Sequence, residues 1–324
     1  MNQADFNRGL LAFIENSPTP FHAVESMVEL LEQNNFSRLD EKDSWSLKPG
    51  ARHYVVRNGS SLIAFIVGRK QPTEVGLRLV GAHTDSPCLK VKPQPEISKN
   101  HYFQLGVEVY GGALLNPWFD RDLSLAGRVV YKNKQGQLKQ TLVDFKRAVA
   151  TIPSLAIHLD REANSNRQVN AQTDINPILF PSEQTQGEAA SLNDILLSEL
   201  DQRGMSDASD IVDFELCFYD LQPPSLVGLN QSFIAAARLD NLLSCYSGTQ
   251  AIVAAEEDVT SMLVCTDHEE VGSASACGAA GPMLASVLER LIPDPQQRTR
   301  ALSQSLLVSA DNAHGIHPNY ADKH

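Results

Sequence analysis

The chain has 324 residues, 42% hydrophobic and 20% charged, the composition of a folded protein larger than one ordinary small domain. Its 27 basic and 39 acidic groups leave a formal net charge of −12, which excludes a general field for binding nucleic acid or an anionic membrane surface. No uninterrupted apolar stretch approaches the ~20 residues that span a bilayer. The opening Met1-Asn2-Gln3-Ala4-Asp5-Phe6 has no basic segment leading into an apolar core, so no signal peptide is expected and a cytoplasmic location is.

In chain order, Phe6, Leu10, Phe13 and Ile14 recur at helical spacing. Thr19-Pro20 then reads as an N-cap with proline at the first helical position, and Val24, Met27, Val28 and Leu31 continue on one face. Ser61 to Val67 and Gly76 to Val80 read as buried strands, the second leading to His83. From about Cys88 to Pro224 the pattern changes. Phe103, Leu105, Val107 and Val109 alternate as in a strand, and Leu125 to Tyr131 and Gln137 to Phe145 flank the hairpin signal Asn133-Lys134-Gln135-Gly136. Asn164 to Asn176 is polar and reads as a loop, and Pro223-Pro224 closes the region. After it, a helix carries Leu242, Leu243, Tyr246 and Ile252, a strand spans Met262 to Thr266, a helix follows Gly281-Pro282, and a strand spans Ser305 to Val308. The expected fold is α/β: a mixed-sheet catalytic domain from residues 1–90 and 225–324, with a mostly β domain, 91–224, inserted. Cys88, Cys217, Cys245, Cys265 and Cys277 lack the Cys-x-x-Cys spacing, and three lie in apolar segments, so reduced, buried thiols are expected.

Chemistry gathers at the ends of the apolar elements. Glu269 and Glu270 follow the strand at 262–266; His83 and Asp85 follow the strand at 76–80; Asp240 precedes a helix; Asp311 follows the last strand. In open α/β sheets, ligands collect at the carboxyl ends of strands. His83, Asp240, Asp311 and one glutamate are suitable ligands for Zn²⁺ or a similar divalent ion. Two ions bridged by one carboxylate would activate a water and polarise a carbonyl. The remaining carboxylate, Glu269, would take the water's proton and pass it to a leaving amine, and Asp85 would hydrogen-bond the imidazole or steady that base. Each piece has a plainer alternative: a surface His-x-Asp pair, a solvated helix face for Glu-Glu, an ion pair and N-cap at Arg238-Leu239-Asp240, a turn at Asp311-Asn312. Their recurrence beside predicted apolar elements favours a shared site.

The stretches Gly81-Ala82-His83-Thr84-Asp85-Ser86-Pro87-Cys88-Leu89, Arg238-Leu239-Asp240-Asn241-Leu242, His268-Glu269-Glu270-Val271-Gly272-Ser273 and Ser309-Ala310-Asp311-Asn312-Ala313-His314, with His317-Pro318-Asn319-Tyr320, resemble the motifs of the aspartyl aminopeptidase family of cocatalytic zinc peptidases. Asn116-Pro117-Trp118-Phe119-Asp120-Arg121-Asp122-Leu123 and Ile152-Pro153-Ser154-Leu155-Ala156-Ile157-His158 resemble that family's inserted domain. The resemblance implies two zinc ions bridged by Asp240, with His83 and Asp311 on the first, Glu270 on the second, Glu269 as general base and Asp85 as its support. It also implies that the inserted domain serves dimerisation and forms a lid, and that His158 reaches a neighbouring subunit's site to stabilise the tetrahedral intermediate. Peptides with acidic N-terminal residues are the implied substrates, and a dodecamer built from dimers the implied assembly, with no nucleic-acid or membrane partner.

The family continues past the His-Pro-Asn-Tyr motif to a final histidine on the second zinc, and this chain stops at His324. The second site therefore keeps only Asp240 and Glu270; His314, His317 and His324 are poor substitutes. An open sheet edge is expected, with one zinc held far more tightly than the other. Two rivals stand beside the aminopeptidase reading: a related two-metal carboxypeptidase or amidohydrolase, and an oligomer subunit with impaired or no turnover.

Overall fold

Asn2 starts the first helix, α1 (Gln3–Glu15), by accepting the Asp5 N–H on its side chain at 2.9 Å. Leu10, Phe13 and Ile14 form its buried stripe, as their spacing predicts. Helix α2 (Pro20–Glu32) follows the Thr19-Pro20 signal, and the Thr19 hydroxyl meets Nδ1 of His22 at 2.8 Å. The computed structural model describes residues 2–182 and 191–324. They form two units, Met1–Asn16, Ala23–Ser86 and Ala237–His324 in one, Ser17–His22 and Pro87–Ala236 in the other. Among the described residues no helix is long and apolar enough to cross a membrane.

In the first unit, β1 (Ser37–Arg38), β2 (Arg52–Arg57) and β3 (Ser61–Ile66) come next. All of β3 is buried, which is why its sequence is an apolar run rather than an alternation. A short helix, α3 (Pro72–Val75), ends at Gly76 with φ 69°, so the strand after it, β4 (Arg78–His83), starts later than the apolar pattern predicts.

The second unit is an antiparallel sheet of β5 (Cys88–Lys99), β6 (Tyr102–Tyr110), β7 (Leu123–Asn133), β8 (Leu138–Asp144), β9 (Ile178–Pro181) and β10 (Ala208–Asp220), ordered β8-β7-β10-β5-β6-β9. The predicted hairpin is the β7–β8 pair, with Lys132 opposite Leu138. Phe103, Leu105 and Val107 of β6 pack in one core with Leu125 and Val129 of β7. Helix α4 (Leu192–Gln202), which the sequence reading did not place, adds Leu196 and Leu200 to that core. Each such large side chain contributes roughly 1.5–3 kcal/mol by leaving water. A two-stranded ribbon, β11 (Ser225–Val227) and β12 (Phe233–Ala235), completes the unit.

The chain then returns to the first unit with α5 (Leu239–Ala254), β13 (Ser261–Thr266), α6 (Met283–Leu291), α7 (Pro295–Leu302) and β14 (Leu306–Ser309). The sheet order is β1-β2-β3-β13-β4-β14, with β3 antiparallel to β13, and β13 and β14 both parallel to β4. Val287 and Leu288 of α6 pack with Phe65, Leu79 and Met262 on one face of this sheet. β14 lies at the sheet edge and all four of its residues are exposed, with Leu306 57% accessible.

Candidate active site

The site is built on three parallel strand ends. Thr266 of β13 pairs with His83, Ser309 of β14 pairs with Gly81, and the Ala310 N–H donates to the Gly81 carbonyl at 2.8 Å. The carboxyl ends of β13, β4 and β14 therefore stand abreast, β4 in the middle. The fourth segment is the start of α5. Arg238 takes a left-handed conformation (φ 60°), the Asp240–Asn241 peptide is cis, and both of those residues are non-helical. The Arg238 guanidinium donates to the Ile14 carbonyl at 3.2 Å, and the Ser86 hydroxyl to the Asp240 carbonyl at 2.7 Å.

His83 is buried at the centre. Its Nδ1 meets the main-chain oxygen of Asp85 at 3.0 Å and Oδ1 of the same residue at 3.3 Å. That leaves Nε2 turned to the acids: Asp240 Oδ1 at 3.2 Å, Asp311 Oδ1 at 3.6 Å and Glu269 Oε2 at 4.0 Å. Burial alone would lower the imidazole pKa, but the hydrogen bond and charge of Asp85, with Glu269 and Asp240 behind them, push it up to about 9. Asp240 is raised by burial and then by the carboxylate of Asp311, against the pull of His83.

The donor set fits a zinc ion. One ligand atom each from His83, Asp240 and Asp311 lies within 4.8 Å of the others. Atoms bound tetrahedrally at ~2.0–2.1 Å stand about 3.3 Å apart, close to the separations from Nε2. A histidine whose other nitrogen is fixed by a carbonyl and a carboxylate is the usual arrangement at such ions. Two carboxylates crowded on one imidazole are also an arrangement that a cation relieves.

Asp85 binds the second half of the site through its main chain. It is fully buried, and its two carboxylate oxygens accept the N–H groups of Glu269 at 3.2 Å and Glu270 at 3.1 Å. Those two residues sit in a one-turn 3₁₀ segment between left-handed His268 and Gly272, not on a helix face. Ser275 Oγ ties this loop, meeting His268 Nδ1 at 2.8 Å and accepting the Gly278 N–H at 2.9 Å. The Glu269 side chain is 49% exposed, open to solvent beside His83, Asp240 and Asp311.

Not every sequence candidate converges. Glu270 is anchored by its N–H, but its carboxylate does not join His83, Asp240 and Asp311, the one such group among the described residues. His314, His317 and His324 are exposed and outside that group; the His317 N–H donates to Nε2 of His324 at 3.0 Å. His158 sits in an exposed turn of the second unit, flanked by exposed Leu155, Ile157 and Leu159. The apolar run 155–159 around it is neither strand nor core. Sequence reasoning missed the roles of Asn241 and Asn312. The Asn241 side chain donates to the Ala310 carbonyl at 2.8 Å, and that of Asn312 to the Leu239 carbonyl at 2.6 Å. The repeated Asp-Asn dipeptide was the available signal. Cys245 is the buried free thiol the sequence reading expects; its Sγ lies 3.0 Å from the His83 carbonyl oxygen, and its pKa is raised by the Cys265 thiol and by burial.

A nitrogen-and-carboxylate cluster at strand ends with a solvent-facing glutamate suits a metal-dependent hydrolase, and the chain's likenesses narrow that class. Residues 13–324 match the model for the aminopeptidase I zinc metalloproteases, M18, and the chain belongs to this family of zinc aminopeptidases. A probable M18 family aminopeptidase 2 of Azotobacter vinelandii is 56% identical over 322 residues, 99% of this chain and 74% of the relative. The cryo-EM structure of the Ape4 and Nbr1 complex matches with a TM-score of 0.93 and 36% identity, over 98% of this chain and 65% of that one. The S. cerevisiae mApe1 dodecamer matches with a TM-score of 0.81 and 29% identity, over 99% and 75% of the two chains.

Proposed function

We propose that the chain removes N-terminal residues from peptides, acidic ones (Asp, Glu) by preference, in a site where His83, Asp240 and Asp311 hold zinc. The observation that carries this reading is Nε2 of buried His83 facing Asp240, Asp311 and Glu269 within 4.0 Å. When bound, zinc supplies Lewis acidity that polarises the scissile carbonyl and makes water a better nucleophile. Glu269 takes the proton of the attacking water and returns it to the leaving amine. Asp85 fixes both partners, holding the imidazole at Nδ1 and the glutamate through its N–H. Asp240 and Glu270 would be the residues to hold a second zinc. The acidic preference rests on likeness to the aspartyl aminopeptidases.

The second unit serves as a dimerisation and lid domain of a homo-oligomer, for which the mApe1 dodecamer is the precedent. Exposed Leu155, Ile157 and Leu159 support an interface there, from which His158 reaches a neighbouring copy. The test is Glu269→Gln with aspartyl-nitroanilide and its acetylated form. Loss of turnover with zinc uptake retained, and no cleavage of the acetylated substrate, supports an aminopeptidase. Equal cleavage of both forms points instead to a carboxypeptidase or amidohydrolase on the same scaffold. A second reading, a subunit with impaired turnover, is favoured by the single three-ligand group among the described residues; it predicts one tight zinc and little or no turnover in the parent chain.

A further inference from the structure

Asp240 and Asp311 reach the site on segments far apart in the chain, and each is followed directly by an asparagine. The two asparagines do the same thing in opposite directions. Asn241 Nδ2 donates to the carbonyl of Ala310, the residue before Asp311, at 2.8 Å. Asn312 Nδ2 donates to the carbonyl of Leu239, the residue before Asp240, at 2.6 Å. The two hydrogen bonds close a ring that contains both acids and fixes the spacing of their backbones on either side. Asn241 is fully buried, and its Oδ1 has no hydrogen-bond partner. A side chain kept only for packing would avoid that orphaned acceptor, so the donor is what the position uses. The Asn312 N–H also donates to Oδ1 of its own neighbour Asp311 at 2.7 Å, which orients that carboxylate.

We propose that Asn241 and Asn312 are positioning residues, a reciprocal clamp that sets the separation of the Asp240 and Asp311 carboxylates for one cation. This rests on the reading of His83, Asp240 and Asp311 as metal ligands. Groups that orient metal ligands typically cost 10–100-fold in affinity when removed.

The test uses the full chain and the metal alone. Zn²⁺ affinity is measured by competition calorimetry for the parent, Asn312→Ala, Asn241→Leu and the double variant, with His83→Ala as control. Co²⁺ absorption reports the ligand geometry, and melting of the metal-free proteins reports structure. The clamp predicts a 10–100-fold loss of Zn²⁺ affinity in each single variant and an altered Co²⁺ spectrum. Metal-free melting of Asn312→Ala should fall by no more than the loss of one hydrogen bond explains, and that of the near-isosteric Asn241→Leu should change less, because its orphaned acceptor goes with the donor. The double variant should be little worse than either single, because one broken bond opens the ring. Singles that bind as the parent does, losses that multiply in the double variant, or losses matched by metal-free melting overturn the clamp while leaving the metal site standing. A parent that takes up no Zn²⁺, or no more than His83→Ala does, overturns the metal reading and the clamp with it.

Discussion

Replacing Asp85 by asparagine changes one oxygen of a fully buried side chain into an NH₂ group and should cost stability even without metal. In the parent, one carboxylate oxygen accepts the Glu269 N–H at 3.2 Å and the other the Glu270 N–H at 3.1 Å, while His83 Nδ1 stands 3.3 Å from Oδ1. Asparagine keeps one acceptor. Its amide nitrogen must then face a backbone N–H, donor against donor. The loss is one charge-assisted hydrogen bond, about 1.5–3 kcal/mol, plus about 1–3 kcal/mol for the stranded N–H. The imidazole loses the hydrogen bond and charge of Asp85, so its pKa should fall, while Glu269 and Asp240 still raise it. The expected total is about 3 kcal/mol and at most about 6, against 5–15 kcal/mol for a typical domain. Two units need not unfold together, so the assay follows Trp45 of the first unit in a Trp118→Phe background, by urea titration with chelator present. With a slope of ~2 kcal/mol/M the midpoint should fall by ~1.5 M. A shift worth less than ~0.5 kcal/mol would show that this carboxylate does not hold the Glu269–Glu270 turn.

A Cβ on Gly127 would stand 1.9 Å from the Glu215 carbonyl oxygen across the β7–β10 pair. Gly127→Ala should therefore lower the unfolding midpoint of the second unit, read through Trp118, by about 1–3 kcal/mol or more. His53 has its Nε2 buried without a partner, and burial holds its pKa below the usual 6.5, with Ser37 working the other way. The unfolded chain then binds more protons below about pH 6.5, so His53 contributes its stability above that pH and loses it on acidification. Unfolding free energy against pH should be flatter in this window for His53→Phe, and an unchanged slope counts against the assignment. Chelation should lower the melting temperature of the first unit, and added Zn²⁺ should raise it with concentration, about 2.7 kcal/mol at a hundred times Kd; a melting curve blind to Zn²⁺ argues against the cluster as a metal site.

Several elements of both units were legible because their local patterns agree with the fold. The buried run of β3, the apolar stretch of β13 and the alternation of β6 carry periodicities that tertiary packing did not override. β5 was missed because Pro93, Pro95 and its charged residues break the alternation across a register shift between Val91 and Glu96. α4 was missed because its buried stripe includes Glu199, which reads as surface in sequence but is paired with Arg147 and Arg203. In the site, residue types with metal chemistry announced themselves. Their positioning did not: Asp85 acts on main-chain N–H groups and the asparagines on main-chain carbonyls, and no side-chain pattern records which backbone atom lies opposite.

That backbone scaffolding also explains how a cluster of acids stays assembled. The Asp240 and Asp311 oxygens that would share an ion lie within 4.8 Å, and both side chains are about half exposed. Their repulsion is then about 1 kcal/mol if water-screened and about 4 kcal/mol if partly screened by protein. The two asparagine hydrogen bonds contribute about 0.5–1.5 kcal/mol each, the same size as the repulsion they oppose. Geometry is therefore set in advance with little surplus, and, against burial, Asp85, Glu269 and Asp240 push the His83 pKa up to about 9, favouring positive charge where a cation would sit. On the proposed reading, a site balanced in this way would need no refolding to accept an ion, and the ion's attraction would go into affinity rather than into gathering its ligands.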